Sequence, residues 1–197
     1  MKNAVILHGT SFDPNTKTSQ SNWFPWLKTE LEKLGYLVWL PELPNAQKPN
    51  METYQKFLLS NPHWTFDQDS ILIGHSSGSV AILGLLQALP EHTKVRACFL
   101  VGSFKDDLGK DFLKELFLKP LDFKKIKPKA QKFIFIHSNN DPRCPLEGAQ
   151  YVAKQLNGKL IVIPGQYHFS VGTAGPRYKE FPKLLEIIKE HTIKPEV

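Results

Sequence analysis

The stretch Ile71-Leu72-Ile73-Gly74-His75-Ser76-Ser77-Gly78-Ser79 decides how the chain is read. It begins as an unbroken apolar run, which suits a strand buried on both faces of a parallel sheet. It ends by leading into Val80-Ala81-Ile82-Leu83, the start of a strongly apolar helix that Pro90 terminates. Between the two lies G-x-S-x-G. The flanking glycines lack a Cβ, so the chain can turn sharply from strand to helix without a clash. A turn of that kind lifts the Ser76 hydroxyl onto the end of the strand, where a nucleophile elbow places it. A serine hydroxyl is a weak nucleophile near neutral pH, so its use requires a base and an orienting acid elsewhere in the chain.

Short apolar runs alternate with longer amphipathic ones on either side of this stretch. The pattern predicts strands over 4–8, 37–40, 70–74, 95–101, 132–137 and 160–163. Helices are expected over 23–34, 51–59, 79–89, 108–118, 146–156 and 178–191. Such alternation implies parallel βαβ units with right-handed crossovers and helices on both faces of a mainly parallel six-stranded α/β sheet. No repeat or linker divides the chain, and its 197 residues suit one domain over 1–197. A sheet of this type carries its functional loops at the carboxyl ends of the strands.

His168 follows the last predicted strand, in Gln166-Tyr167-His168-Phe169, and Asp141 follows the one before, in Asn139-Asn140-Asp141-Pro142. An imidazole with an ordinary pKa of about 6.5 suits proton transfer near neutral pH. A carboxylate behind it fixes the tautomer and stabilises the imidazolium formed during attack. Each residue alone has a plainer explanation, His168 as a loop histidine and Asp141 as a turn former. Together with Ser76 they follow three different strands in the order Ser, Asp, His, as in α/β hydrolases. Asp106 is the rival acid, while Asp67 and Asp69 precede a strand and so lie at the wrong end of the sheet.

Acyl transfer also needs two backbone N–H groups aimed at the developing oxyanion. One is expected from Ser77, directly after the nucleophile. The other is expected from the loop His8-Gly9-Thr10-Ser11, from Thr10 or alternatively Ser11. His75, at a variable position of the motif, is expected to shape the elbow rather than transfer protons.

Net charge is +6, with lysines at 124, 125, 127, 129 and 132 as a solvated connection. No stacking motif or zinc-ligand spacing accompanies them, so nucleic acid is not an expected partner. No metal cluster, Walker loop or G-x-G-x-x-G is present in the sequence, and no metal or cofactor is expected. Two cysteines, Cys98 and Cys144, do not make a disulfide scaffold. No apolar run approaches a signal peptide or a membrane span, which makes the cytoplasm the expected compartment.

The strand-one loop, Trp23-Phe24-Pro25-Trp26-Leu27, Gly74-His75-Ser76-Ser77-Gly78, Ser138-Asn139-Asn140-Asp141-Pro142, Tyr167-His168-Phe169 and Phe181-Pro182 together resemble the small serine hydrolase family related to retinoblastoma-binding protein nine. The resemblance covers nearly the whole chain. It implies a minimal α/β-hydrolase fold with strand order 2-1-3-4-5-6 and no full lid domain. It also implies Ser76 as nucleophile, Asp141 as acid and His168 as base. One departure is the single glycine in the strand-one loop, where some relatives have a glycine-rich run. The 105–129 excursion is too short for a lid; its aromatics either wall a pocket, with Phe104, Phe112, Phe117 and Leu118, or cover the sheet edge. The expected activity is cleavage of a carboxylic ester, a thioester or an activated amide of a small acyl substrate. The alternative is a protein-binding module on a hydrolase scaffold, with a protein partner and vestigial catalysis.

Overall fold

The computed structural model describes residues 1–13 and 17–192. Six strands form one sheet: β1 Asn3–Leu7, β2 Leu37–Trp39, β3 Ser70–His75, β4 Ala97–Val101, β5 Phe133–His137 and β6 Lys159–Val162. Their order is β2-β1-β3-β4-β5-β6, and every neighbouring pair is parallel. This is the expected α/β-hydrolase sheet.

Among the described residues five α-helices lie between the strands, α1 Phe24–Lys33, α2 Met51–Leu59, α3 Ser77–Ala88, α4 Phe123–Ile126 and α5 Leu146–Leu156, and two follow the last strand, α6 Val171–Ala174 and α7 Pro182–Thr192. Alternate residues of each strand face opposite sides, which divides the core in two. Val5, Leu7, Leu72, Cys98 and Leu100 pack against α2, α3 and α5 on one face. Ala4, Ile6, Ile71, Ile73, Phe99 and Val101 pack against α1 and α7 on the other. The central strands β1, β3, β4 and β5 are buried throughout, which is why they read as continuous apolar runs. Burying one Leu or Phe in such a core is worth roughly 1.5–3 kcal/mol.

Four expectations change. The 108–118 segment is not an α-helix; its regular part is a 3-10 stretch over Asp111–Leu116. Asp106 Oδ1 and Asp107 Oδ1 accept the N–H groups of Leu108 and Gly109, both at positive φ, and this local bonding competes with a helical start. Val95 makes an isolated bridge to Ala130 instead of extending β4. The last helix begins at Pro182 and not at Tyr178, because a proline fits at a helix start and not inside one. Lys129 is buried, with its ammonium donating to the Leu89 and Pro90 carbonyls beyond α3, whereas its four lysine neighbours are exposed. Among the described residues no helix is long and apolar enough to cross a membrane.

Candidate active site

β3 ends at His75 and α3 begins at Ser77, so Ser76 alone makes the turn, at φ 55° and ψ −125°. A non-glycine residue held at positive φ is strained, and its surroundings must impose the conformation. The Ser76 N–H donates to the Val101 carbonyl at 2.8 Å. The Ser76 carbonyl accepts from the Ser79 N–H and hydroxyl, at 2.9 and 2.6 Å. A Cβ on Gly78 would lie 2.3 Å from the Leu7 carbonyl oxygen, and one on Gly74 would lie 2.6 Å from the Ser79 Cα. The motif's two glycines therefore let α3 sit directly on the ends of β1 and β3.

His168 Nδ1 and Asp141 Oδ2 are 2.7 Å apart, with the carboxylate side chain fully buried. An ionised carboxylate only accepts, so Nδ1 carries the proton and the lone pair of a neutral ring sits on Nε2. Asp141 Oδ1 accepts from the Arg143 and Cys144 N–H groups at 2.8 and 3.0 Å. Burial by itself raises the Asp141 pKa; the hydrogen bond and charge of His168, with those two N–H groups, outweigh it and hold the carboxyl below its ordinary value. Ser76 and His168 line the same cavity, and no hydrogen bond joins their side chains among the described residues. Such bonds are often long before a substrate binds.

Residues beside Asp141 clasp the histidine loop. The Ser138 hydroxyl accepts from the Gln166 N–H, Asn139 Oδ1 from the Gly165 N–H and Asn140 Oδ1 from the Tyr167 N–H. Beneath that loop, His75 Nε2 bonds the His168 carbonyl at 2.8 Å and Trp23 Nε1 donates to the Phe169 carbonyl at 2.9 Å. Tyr167 and Phe169 flank His168 at positive φ, so the loop is held in a strained shape by these contacts. Burial above all, with the charge of the neighbouring His168, pushes the His75 pKa down to about 3. A neutral His75 donates from Nε2. Its bond to the His168 carbonyl ties the end of β3 to the histidine loop.

On the strand-one loop, His8 is fully buried. Its Nε2 accepts from the Leu43 N–H at 2.8 Å, so Nδ1 bears the proton and donates to the Gly9 carbonyl at 2.8 Å. Burial lowers the His8 pKa, which keeps this neutral form. In a trans peptide the N–H points opposite to the carbonyl. The Gly9–Thr10 unit therefore turns the Thr10 N–H away from His8. The Ser11 N–H is already used, donating to the Ala46 carbonyl at 3.2 Å. Thr10 Oγ1 and Ser77 Oγ meet at 2.9 Å, which ties this loop to the first turn of α3. The N–H groups of that first turn have no acceptor within the helix.

The cavity shared by Ser76 and His168 measures about 190 Å³. Phe104, Leu108, Phe112 and Leu113 form one wall, so the excursion after β4 does line the pocket. Phe117 packs beside Phe104 in the core, and Leu118 is exposed. Asp106, the rival acid, pairs instead with Lys105 at 2.9 Å and caps Leu108. One contributor is hidden in the sequence. Gly102 adopts φ +61°, and a Cβ there would stand 3.2 Å from His168 Cε1, so only a glycine leaves the ring undisturbed. Its sole signal is a glycine just after a strand.

The fold also gathers a group that sequence spacing does not show. One ligand-type atom each from Asp141, Cys144 and His168 lies within 4.8 Å of the others. Both Asp141 oxygens there already accept N–H donors. The buried Cys144 thiol has its pKa raised by burial, and it interacts with the Ser76 side chain.

A family model described as "Serine hydrolase" matches residues 5–189. The chain is 28% identical to "Serine hydrolase RBBP9" of Rattus norvegicus over 189 residues, 94% of this chain and 93% of the rat protein. Its fold superposes on the ydeN gene product of B. subtilis with a TM-score of 0.87 at 26% identity, covering 98% of this chain and 100% of that one. Est1E from Butyrivibrio proteoclasticus shares the fold at a TM-score of 0.65 and 14% identity, over 96% of this chain and 86% of that one.

Proposed function

The chain belongs to the serine hydrolase family, and from that premise we propose that it cleaves a carboxylic ester, or a thioester or activated amide, through an acyl-enzyme on Ser76, with 1–197 as one catalytic domain. Ser76 Oγ attacks the acyl carbon while His168 Nε2 takes the hydroxyl proton. The carbonyl π electrons move onto oxygen, and the Ser77 and Thr10 N–H groups receive the oxyanion. Collapse expels the leaving group, which takes the proton from His168. Water then attacks the acyl-enzyme with His168 as base, releasing the acid and restoring Ser76. Asp141 holds the imidazole tautomer and stabilises the imidazolium through both half-reactions.

The observation that carries this reading is the 2.7 Å bond that fixes His168 Nδ1 on a buried Asp141, leaving Nε2 for the cavity that Ser76 lines. The hydrogen bond from Ser11 to Ala46 favours Thr10 as the second oxyanion donor. Losing one such donor typically costs about 10²–10³ in rate. A fluorophosphonate probe provides the test. Wild-type protein is expected to label, and Ser76→Ala to remain unlabelled at equal concentration. Equal labelling of the two would remove Ser76 from the nucleophile's role.

A further inference from the structure

The charge lining the cavity points to a substrate class. Lys110 and Arg143 both line it, and among the described residues no Asp or Glu does. The chain as a whole has 19 acidic residues against 25 basic ones, so the cavity is more one-sided than the surface around it. Lysines on either side of Lys110 are neutralised: Lys105 pairs with Asp106 at 2.9 Å and Lys114 with Asp111 at 2.6 Å. Lys110 and Arg143 have no carboxylate within 4.0 Å among the described residues.

The Lys110 cation is also held in place. Its ammonium donates to the Arg143 carbonyl at 3.2 Å, which joins the excursion after β4 to the loop after β5. The backbone N–H of Arg143 donates to Asp141 Oδ1, two residues before it, which fixes where the Arg143 side chain starts. Lys110 and Arg143 are close enough to Cys144 to oppose the rise in its thiol pKa that burial causes. Ser76 and Cys144 line the same cavity. The Arg143 backbone, bonded to both Lys110 and Asp141, sets this positive charge beside the residue that holds His168.

The rest of the lining is largely an apolar wall, with Phe24, Phe104, Leu108 and Leu113 in it. Phe12 meets Phe112 edge-on at 4.9 Å and closes that wall. A cavity of about 190 Å³ with this lining suits a short aliphatic or an aryl group.

We propose that the ester received here is a compact one carrying a carboxylate on one of its two halves, with the apolar part on the phenylalanine wall and the carboxylate on Lys110 and Arg143. A guanidinium fork matches a carboxylate's two oxygens, and an ammonium adds a point charge beside it. The proposal rests on the reading of Ser76 as the acyl-accepting residue, since that is what makes this cavity the substrate's.

Two matched pairs of esters test it by calorimetry on Ser76→Ala protein, in which binding is read without turnover. Mono-4-nitrophenyl adipate against 4-nitrophenyl hexanoate places the charge on the acyl half. Hexanoate esters of 4-hydroxybenzoate and 4-hydroxybenzamide place it on the leaving group. In one pair the charged member is expected to bind about tenfold more tightly at low salt, the order of one or two partly exposed ion pairs. The advantage is expected to vanish when Lys110→Gln and Arg143→Gln are added, and to shrink in 0.5 M salt, where the screening length is only a few ångströms, about 3 Å at 1 M. No advantage in either pair overturns the proposal, as does an advantage that survives both glutamines. The salt titration needs no added substitution, so it reads the same point if the glutamine variant fails to fold. Hydrolysis of these esters by Ser76→Ala at the wild-type rate would instead sink the nucleophile assignment, and with it the premise that this cavity is the substrate's.

Discussion

Two walls line the cavity, and they are built differently. One consists of the loops after β3, β5 and β6, which carry Ser76, Asp141 and His168. Hydrogen bonds tie it together: Ser76 to Val101, Asp141 to Arg143 and Cys144, Asn140 to Tyr167, His75 to His168 and Trp23 to Phe169. The other wall is the crossover after β4, where Phe104, Leu108, Phe112 and Leu113 face the cavity from irregular and 3-10 backbone. Directional bonds fix atoms to within a few tenths of an ångström, and proton transfer needs that accuracy. Apolar contact is non-directional and tolerates changes in shape. Chemistry is therefore assigned to the bonded wall and substrate fit to the packed one. Substitutions in the first are expected to have steep effects, and those in the second graded ones.

The steepest expected effect is at Asp141→Asn. The amide preserves the shape, but it no longer obliges Nδ1 of His168 to hold the proton. A loss of about 10⁴ in kcat is expected with KM little changed, as for other triads whose acid loses its charge. Steady-state kinetics on any cleaved ester reads it. A loss below tenfold would mean the bonded wall does not set the tautomer.

Gly102 lies on the seam, as the first residue of the crossover and the backing of the His168 ring. In Gly102→Ala the new methyl starts 3.2 Å from His168 Cε1 and the backbone is strained at φ +61°. The ring must give by a few tenths of an ångström, and the expected cost is about tenfold in kcat, below the ~10² that a 1 Å misplacement brings. Fluorophosphonate labelling should slow by a similar factor, because it uses the same base. Unchanged kinetics would place the seam further along the crossover.

What the sequence made legible follows the same division. Ile71 to Gly74 reads as a strand because β3 is buried on both faces, and Ser76, Asp141 and His168 stand out because a parallel sheet brings the ends of distant strands together. The clasp from Ser138, Asn139 and Asn140 read as ordinary turn chemistry, since its partners lie 26 to 28 residues further on. Gly102 gave no signal beyond its position after a strand. On the packed wall, the apolar spacing over 108–118 suggested a helix. The Asx turns of Asp106 and Asp107 compete with that periodicity, and a hydrophobic pattern does not register them. Lys129 read as part of a solvated run because its carbonyl partners, Leu89 and Pro90, are about forty positions earlier.

The bonded wall should also be the acid-sensitive one. His8, His75 and His137 lie under it, and in each burial lowers the pKa below the ordinary 6.5, to about 3 for His75. These rings are neutral when folded and protonate when unfolded, so below about pH 6.5 the unfolded chain binds more protons. Stability then falls with pH by up to about 1.4 kcal/mol per unit for each fully depressed ring. For His75 the contribution is complete above 6.5 and is lost progressively toward pH 3. Asp141 acts in the same direction, nearer its own carboxylate range. Denaturant unfolding at a series of pH values between 7 and 4.5 measures the slope. His75→Gln is expected to make it shallower by about one ring's share, whatever it does to stability at pH 7. An unchanged slope would mean that His75 is protonated in the folded state.

The smallest expected effect is on the packed wall. Phe112 is partly buried and presents its ring to Phe12, which is 61% exposed. An edge-to-face pair of this kind is worth about 0.5–1.5 kcal/mol beyond its buried area, which sets the scale for what Phe112→Ala removes. The catalytic side chains keep all their hydrogen bonds in that variant, so kcat for a short ester should hold. KM should rise by about threefold, and the opened cavity should admit acyl chains one or two carbons longer. A kinetic series of esters of graded acyl length resolves the two effects. If kcat falls while KM holds, Phe112 contributes to the transition state rather than to fit, and the two walls do not divide the work. If KM shifts alone, substrate choice can be altered from the crossover without touching the chemistry, because the catalytic atoms are held by hydrogen bonds in which Phe112 takes no part.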